Sequence, residues 1–358
     1  MARNPIIPGQ EWRETPLTQL DPVVTIYPQS MYWGDEFFQG GSEHFDTEEI
    51  EFDVVFEGAP KAQYVGAELS VEPEERTPFT TSGFLTPRMQ FKKSISGKDI
   101  LNRMPGEKPP YNMEDPLRRL AKMRADDIVR AGKAIQNLAE IQRSQLMLGD
   151  PIPIVGVGEN RYIDYGFRNK DALTGGDQFG QPGVNIIEEL RKRVYHMGEM
   201  GFQITDAIMS PEVWEVMYMD PTIQKLLDIQ RYNFANFKPG PTPEFGAATP
   251  VGMIGDPSLT LWTHNWTYAD SRNVRHRYLP AGTMLLISPQ AKQNKMGYGA
   301  WLGKDPQTKQ WQWYKGEYFQ QYDDSKVDPP RDILTVTSRP LAIPGNIDSW
   351  YRLDALDI

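Results

Sequence analysis

The stretch EDPLRRLAKMRADDIVRAGKAIQNLAEIQRSQLMLGD, residues 114–150, decides the fold of this chain because it is the clearest element in the sequence. Asp115 is a favourable N-cap, and Pro116 suits the first position of a helix. Gly149 supplies a residue at which such a helix ends. The sequence therefore predicts a helix over 115–148, which would span roughly 50 Å at a rise of ~1.5 Å per residue.

Two faces separate when the residues of this helix are placed at about 100° intervals. One face is apolar and is expected to rest on a core; it carries Leu117, Ala121, Ile128, Ala131, Ile135, Leu138 and Leu146. The opposite face is basic and carries Arg119, Lys122, Arg130 and Lys133, with Asp126 among them. This basic stripe is either a solvated face supported by the Asp126–Arg130 pair or a surface turned towards a polyanion.

The amino-terminal segment predicts an extended arm over residues 1–45. Prolines recur there too often for any helix, at Pro5, Pro8, Pro16, Pro22 and Pro28. Such a segment has little apolar surface of its own to bury. We expect it to lie along its own domain or along a neighbouring subunit.

A projecting hairpin is predicted next, because residues 46–57, DTEEIEFDVVFE, alternate acidic and apolar side chains at the period of a strand. The two faces carry the apolar Ile50, Phe52 and Val54 and the acidic Glu49, Glu51 and Asp53. A second apolar stretch follows at 84–91, after a loop rich in Pro, Gly and Thr. The acidic face would suit a basic neighbouring surface; a solvated strand face is the alternative.

The remainder of the chain mixes helix and strand signals, so the fold class is α+β. A strand pair around a Gly-rich turn follows the long helix at 152–167. A second helix is predicted over 184–200, and two short helical pieces follow Ser210, broken at Pro221. Strand signals return from about Leu259 onward.

The bulk composition favours a folded chain and excludes several classes. Of the 358 residues, 39% are hydrophobic and 11% aromatic, which suffices for a core. The absence of Cys excludes disulfides and thiolate metal sites. A net charge of −10 argues against a dedicated nucleic-acid-binding protein. The chain carries no signal peptide and no apolar run of membrane length, so we expect a soluble protein made in the cytoplasm.

The segments that resemble catalytic or cofactor-binding motifs lack residues that such motifs need. GVGENR at 156–161 partly mimics a dinucleotide-binding loop, but Arg161 replaces the third Gly and a strand-like segment follows instead of a helix. Walker, H-E-x-x-H and G-x-S-x-G patterns are absent. Four histidines spread over the chain make a His-rich metal site improbable. We therefore predict no catalytic residue, no metal site and no cofactor.

Two aromatic stretches required a choice between chemistry and packing. LTLWTHNWTYADSRNVRHRYLP, residues 259–280, holds His264 and His276, and strand alternation would place each on an aromatic face of a half-buried hairpin. That interpretation is favoured over a metal or catalytic cluster. In WQWYKGEYFQQY, residues 311–322, Trp311 and Trp313 would share one face. They are either a sugar-binding platform or, as we favour, part of a buried core.

Several of these segments together resemble a known family. FKKSISGKDILNRMPGE (91–107), the long helix with its exit DPIPIVG (150–156), YIDYGF (162–167) and LWTHNWTYADSRNVRHRYLPAGTMLLIS (261–288) follow one another in a familiar order. Their order and spacing resemble the lambda-type phage major capsid proteins, the protein E family. The late segment is similar to a family signature in which a Tyr-x-Asp turn and a Leu-Pro step separate two strands. The agreement covers roughly residues 46–358.

The resemblance implies an HK-97-type capsid fold with defined parts. These parts would be an N-terminal arm (1–45), an extended β-hairpin loop (46–97), a peripheral domain (98–200) with its spine helix (115–148), an axial domain (201–325) and a return to the peripheral domain (326–358). The extended loop would contact a neighbouring subunit through Glu49, Glu51, Asp53, Glu57, Phe84 and Arg88. The basic stripe of Arg119, Lys122, Arg130 and Lys133 would face the packaged genome.

The implied function is that of a major capsid protein of a tailed bacteriophage. Such proteins form pentamers and hexamers of an icosahedral head around double-stranded DNA, assembling in the host cytoplasm and remaining in the virion. The implied partners are further copies of the chain, a separate scaffold protein, a portal at one vertex, in some relatives a decoration protein, and DNA bound without sequence preference; no membrane is implied. The alternatives are a cellular nanocompartment shell of the same fold and a carbohydrate-active enzyme.

Overall fold

The computed structural model of the chain describes residues 30–55, 79–102, 116–228, 235–236, 246–270, 274–304, 310–314, 316–325 and 331–358. Most of the predicted arm and Glu57 of the predicted loop surface therefore lie outside the described residues. Helix α1 (Tyr32–Phe37) and strand β1 (Ser42–His44) come first. They are followed by β2 (Glu49–Val55), β3 (Phe79–Leu85), β4 (Met89–Ser96) and α2 (Gly97–Leu101).

The predicted long helix is confirmed as α3, which runs from Pro116 to Leu148. It ends at Gly149, whose φ of +68° is a conformation that favours glycine. The Gly149 amide donates to the carbonyl of Leu146 at 2.9 Å and closes the last turn. The ring of Phe167 lies against the Gly149 backbone so closely that an added Cβ would come within 2.0 Å of Phe167 Cδ1.

The first half of α3 packs on a three-stranded antiparallel sheet ordered β18–β19–β4, in which β18 is Phe319–Ser325 and β19 is Arg331–Ser338. Ala131 and Ile135 of the helix are buried against Met89, Leu334 and Val336 of the sheet. Two ion pairs flank this core: Lys93 with Asp127, and Arg124 with Asp332 at 2.5 Å. The first half of the long helix and the late strands β18 and β19 thus pack into one folded unit.

The second half of α3 enters the main core together with the segment around α1. This core contains Trp33, Phe37, Met147, Ile152 and Trp350, each at most 1% exposed. A second three-stranded sheet adjoins it, ordered β1–β15–β20, with β15 at Lys295–Tyr298 and β20 at Pro340–Ile343. Residues 30–45 of the predicted arm therefore belong to the folded body, because their aromatic side chains complete its core.

A seven-stranded mixed sheet forms the second large body, in the order β7–β21–β14–β8–β11–β10–β9. Its strands are β7 (Lys170–Ala172), β8 (Asp206–Met209), β9 (Ala235–Asn236), β10 (Thr249–Gly255), β11 (Ser258–Thr263), β14 (Thr283–Ile287) and β21 (Trp350–Asp354). Three helices accompany it: α4 (Ile186–Glu199), α5 (Pro211–Met219) and α6 (Pro221–Asp228). Every residue of β14 is buried, as expected for a central strand.

The described residues also form four two-stranded antiparallel sheets. They are β2–β3, β5–β6 (Ile152–Gly156 and Glu159–Ile163), β12–β13 (Thr267–Ala269 and Arg275–Arg277) and β16–β17 (Trp301–Lys304 and Trp311–Tyr314). The second helix, the break at Pro221, the strand pair after the long helix and the α+β class agree with the sequence predictions. The predicted apolar strand at 84–91 is wrong: Pro87 interrupts it, so β3 ends at Leu85 and β4 begins at Met89.

Two further predictions about side chains differ from the structure. On α3, Ala121 is exposed and Leu138 is 46% exposed. The reason is that the two halves of the helix pack on different cores, and each half buries a different set of its side chains. The strand predicted through His264 to Tyr268 is interrupted at 264–266, between β11 and β12. Trp262 and Tyr268 therefore do not lie on one continuous strand.

Candidate assembly surfaces

The extended hairpin β2–β3 presents the predicted acidic face. Glu49 and Glu51 are exposed, whereas Ile50 between them is fully buried. The strands pair over their full length, from Glu49 opposite Leu85 to Val55 opposite Phe79, and Asp53 lies opposite Thr81. Phe84 is half-buried and its ring contacts that of Tyr165 at 5.1 Å. The hairpin thus has one apolar face towards the body and one acidic face away from it.

The base of this hairpin is fixed by hydrogen bonds to the body. The amide and hydroxyl of Thr86 both donate to the carbonyl of Glu48, at 3.0 and 2.7 Å. The amide of Ala300 donates to the carbonyl of Thr47 at 3.0 Å. The guanidinium of Arg339 pairs with the Glu48 carboxylate at 2.9 Å. These contacts set the direction in which the hairpin leaves the body.

Arg88, which we predicted to lie on the intersubunit surface, instead contacts its own chain. Its guanidinium lies 3.9 Å from the ring centroid of Trp301, and Arg339 lies 5.5 Å from the same ring. Such cation–π contacts are worth about 0.5–2 kcal/mol. Partial burial and the nearby charge of Arg339 lower the pKa of Arg88. Arg88 is still exposed at its edge, so it both anchors the hairpin base and reaches the surface.

The basic stripe of the long helix is only partly exposed. Lys122, Arg130 and Lys133 are exposed, with Asp126 beside them. Arg119 differs from the prediction because it is only 8% exposed. Its Nη2 donates to the carbonyl of Asn102, directly after α2, at 2.6 Å. The guanidinium caps this short helix instead of facing outward.

Glu140 on α3 makes a buried structural contact that sequence reasoning missed. Its carboxylate is fully buried and accepts the backbone amides of Trp33 at 2.6 Å and Gly34 at 3.0 Å. Arg143 pairs with the same carboxylate at 3.2 Å. Burial raises the pKa of Glu140 to about 7, against the opposing effects of Arg143 and the two amides. Glu140 therefore ties α1 to the long helix.

His264 lies on the other side of the same aromatic cluster. Its ring stacks on Tyr32 at 5.2 Å and meets Trp33 edge-on at 5.2 Å. Burial lowers the pKa of His264 to about 4, so the ring is neutral near pH 7. His276 lies elsewhere, exposed on β13, with Nε2 at 3.3 Å from Asp270 Oδ2. The two histidines therefore have separate environments.

The described residues show no arrangement for metal ligation or membrane crossing. No group of three or more His, Asp or Glu side chains among them is placed to hold a metal ion. Within the same residues, no helix is both long and apolar enough to span a membrane.

The expected burial of Trp311 and Trp313 is wrong. They are 63% and 62% exposed on β17. β16 and β17 pair only with each other in the described sheets. Exposed apolar area of this kind is typical of interaction surfaces.

Comparison with known proteins identifies the family to which these features belong. The family model of phage major capsid protein E matches residues 17–355. This chain belongs to the phage major capsid protein E family. It is accordingly a structural protein that assembles with further copies into a capsid and is a component of the virion. No curated protein sequence matches this capsid protein.

Solved structures show the fold of this capsid protein. A prophage capsid protein from Escherichia coli CFT073 is 18% identical and superposes with a TM-score of 0.63, covering 92% of this chain and 94% of the other. The capsid protein of cyanophage P-SCSP1u is 8% identical with a TM-score of 0.48, covering 94% and 92%. An encapsulin complex from Synechococcus elongatus PCC 7942 is 10% identical with a TM-score of 0.46, covering 100% and 97%. The assignment of the HK-97-type capsid fold rests on the superposition with the prophage capsid protein.

Proposed function

We propose that this capsid protein forms pentamers and hexamers of an icosahedral phage head that encloses double-stranded DNA. Assembly takes place in the host cytoplasm with a separate scaffold protein, around a portal at one vertex, and a decoration protein can bind outside. In this proposal the subunit divides into an extended loop over 46–97, a peripheral domain over 98–200 and 326–358, and an axial domain over 201–325.

The extended hairpin is the observation that supports the proposal. Its base is fixed by Thr86, Ala300 and Arg339, while its exposed face carries Glu49 and Glu51. A two-stranded hairpin is marginally stable alone in water. A neighbouring subunit that covers it would supply the missing burial.

The test is to shorten this hairpin beyond the Val55–Phe79 pair. Residues 56–78 are replaced by Asn-Gly, which joins Val55 to Phe79 in a two-residue turn. The expected product is a subunit that keeps its circular dichroism spectrum and melting temperature but forms no closed particles. Electron microscopy and light scattering measure closure. Particles of normal size and yield would refute the intersubunit role of the hairpin end.

DNA contact by the exposed part of the basic stripe is a second element of the proposal. Lys122, Arg130 and Lys133 are spaced along one side of α3, and Asp126 reduces their net charge. That balance suits weak binding to phosphates without sequence readout. Arg119 is left out because its guanidinium is buried.

Replacing these three residues by Ala tests the stripe. The logarithm of the DNA-binding constant falls linearly with the logarithm of the salt concentration, and each lost phosphate contact is expected to make this negative slope shallower by about 0.9. The measurement is DNA binding by disassembled subunits and DNA retention by filled particles at increasing salt. Lys170→Ala, an exposed lysine on β7, is the control. An unchanged slope in the triple variant, or native particles that hold protein cargo without DNA, would contradict this assignment.

A further inference from the structure

A small pocket lies between the end of β19 and the strand pair β16–β17. Its walls include Trp301 and Tyr314 from the strand pair and Ser338 and Arg339 at the end of β19. The amide of Gly299 donates to the carbonyl of Arg339 at 3.1 Å and holds the two segments together. The pocket has a volume of about 80 Å³, which exceeds the ~30 Å³ that one water molecule occupies in the liquid. A group of several heavy atoms therefore fits inside it.

Three residues of this pocket each have a buried donor that finds no hydrogen-bond partner within the described part of the chain. The donors are the indole Nε1 of Trp301, the hydroxyl of Ser338 and the Nε of Arg339. Ser338 is 3% exposed, and the side chain of Arg339 is 10% exposed. Buried donors in folded proteins are almost always paired. Three unpaired donors around one pocket therefore indicate a ligand that accepts hydrogen bonds.

The guanidinium of Arg339 uses one of its nitrogens within the subunit. Its Nη1 pairs with the Glu48 carboxylate at 2.9 Å and donates to the carbonyl of Ala300 at 3.3 Å. Nε belongs to the other side of the guanidinium, where an Nε–H and an Nη2–H point in the same direction. Such a pair of parallel donors matches the two oxygens of a planar carboxylate. The geometry of Arg339 therefore favours a carboxylate over an anion with a single acceptor atom.

The charge around the pocket also favours an anion. The guanidinium groups of Arg88 and Arg339 lie 3.9 and 5.5 Å from the ring centroid of Trp301, which lines the pocket. Burial and the charge of Arg339 lower the pKa of Arg88, whereas the charge of Glu48 opposes this change. Among the described residues, Glu48 is the carboxylate that pairs with this group of two arginines. The local excess is one positive charge, which a singly charged anion balances.

We propose that this pocket binds a carboxylate group, which accepts hydrogen bonds from Trp301, Ser338 and Arg339 and fixes Arg339 at the base of the extended hairpin. A carboxylate is a flat terminal group with two acceptor oxygens and one negative charge, so it fits the donors, the charge and the volume together. A phosphodiester has two substituents that must both leave the pocket. The carboxylate is the side chain of an Asp or Glu from a second copy or a free small carboxylate, and both sources share the same chemistry.

The first test measures the binding of acetate to full-length, unassembled subunits. Tryptophan is isotope-labelled, and the indole N–H resonance of Trp301 is identified by its loss in Trp301→Phe. We expect this resonance to shift downfield and to saturate with acetate, whereas chloride and phosphate bind about tenfold more weakly or less. Absence of a saturable shift with acetate would overturn the inference. An equal response to chloride or to phosphate would also overturn it, because the pocket would then not select a carboxylate.

The second test removes one donor of the pocket. In Ser338→Ala we expect the Kd of acetate to rise about tenfold, because a hydrogen bond to a charged group is lost. Without acetate, the melting temperature of Ser338→Ala should be unchanged or higher, since the removed hydroxyl has no partner in the subunit. The matched control is Ser288→Ala, which removes a buried and equally unpartnered hydroxyl outside this pocket and should bind acetate like the wild type. Equal acetate affinity in Ser338→Ala and the wild type would refute the proposed site.

Electron microscopy of assembled particles distinguishes the two sources. Particles are prepared with and without acetate. Density in the pocket that continues into an Asp or Glu side chain of a second copy, without added acetate, assigns the carboxylate to that copy. Separate density that is present only with acetate assigns it to a free ion. Separate water density alone in both preparations would contradict the inference. Because the first two tests use unassembled subunits, their outcome is independent of whether the protein closes into icosahedral heads.

Discussion

At the scale of single residues, two buried titratable side chains hold α1 in place from opposite sides. Glu140 accepts the amides of Trp33 and Gly34, and His264 packs on Tyr32 and Trp33. The charged and titratable groups near them are Arg143 on the long helix and the buried phenol of Tyr278, whose pKa is raised by burial and by the charge of Glu140. We therefore expect the docking of α1 to be sensitive to pH.

Glu140 makes the folded state more stable at lower pH. Its pKa in the folded protein, about 7, is above the ordinary value of 4.5, so folding favours the protonated form. That stabilisation is fully present below 4.5 and is lost as pH rises through about 7. In Glu140→Gln we expect this loss to disappear, so the melting temperatures of wild type and variant diverge between pH 5 and pH 8. If the melting temperatures of wild type and variant changed in parallel over that range, the raised pKa of the buried Glu140 carboxylate would be contradicted.

His264 has the opposite effect on the pH dependence of stability, because it makes the folded state less stable at lower pH. Its pKa is lowered by burial from 6.5 to about 4, so folding favours the neutral ring. The stabilisation is present above 6.5 and is lost as pH falls through about 4. His264→Phe keeps an aromatic ring and removes the titration. We expect the wild type to lose stability relative to this variant as pH falls from 6.5 to 4, measured by denaturant unfolding.

At the scale of elements, the long helix α3 makes side-chain contacts with both the β18–β19–β4 sheet and the segment around α1. Asp127 and Arg124 of its first half pair with the β18–β19–β4 sheet, and Glu140 of its second half holds α1. Its end is set by Gly149, where the next segment turns back and Phe167 packs on the glycine. The helix boundary is therefore defined by backbone conformation and by a tertiary contact.

Two glycine substitutions on this helix are expected to have opposite signs. Gly149→Ala places a Cβ against the Phe167 ring at a positive φ and should destabilise the fold by at least ~1 kcal/mol. Gly132→Ala lies within α3, where an added Cβ meets nothing within 4 Å, and should stabilise it by about 0.5–1 kcal/mol. Chemical denaturation measures both. An unchanged or higher stability of Gly149→Ala would show that the Gly149 geometry is not required.

At the scale of the whole molecule, we expect the boundary between arm and body to fall near residue 30. Ser30 is fully buried and its hydroxyl donates to the carbonyl of Gly246 at 2.5 Å. Trp33 and Phe37 are at most 1% exposed in the main core. We expect the segment before Ser30 to serve contacts between subunits without being needed for the fold of one subunit.

Two truncations test this boundary. Removal of residues 1–29 is expected to leave the melting temperature of the subunit nearly unchanged. Removal of residues 1–38 also deletes Trp33 and Phe37, and loss of a buried large aromatic costs on the order of 3–5 kcal/mol. The longer truncation should unfold at much lower temperature or fail to fold. Trp33→Ala in the full chain provides a milder version with the same direction. Equal stability of both truncations would place the boundary elsewhere.

The sequence by itself determined the features that depend on local chemistry. The bounds of the long helix follow from Pro116, Gly149 and the spacing between them, and the acidic face of β2 follows from simple alternation. The family resemblance placed these elements in order. Local signals of this kind survive into the fold because capping, glycine conformation and strand alternation act over a few neighbouring residues.

Only the tertiary structure decided which side chains are buried and what they contact. Glu140 meets Trp33 across a separation of 107 residues, and Arg119 turns to the carbonyl of Asn102. Trp311 and Trp313 are exposed on a hairpin that pairs with no further strand in the described sheets. Whether such side chains are buried depends on residues far along the chain or on another subunit. A sequence pattern gives the period of a face, whereas burial of that face depends on what packs against it.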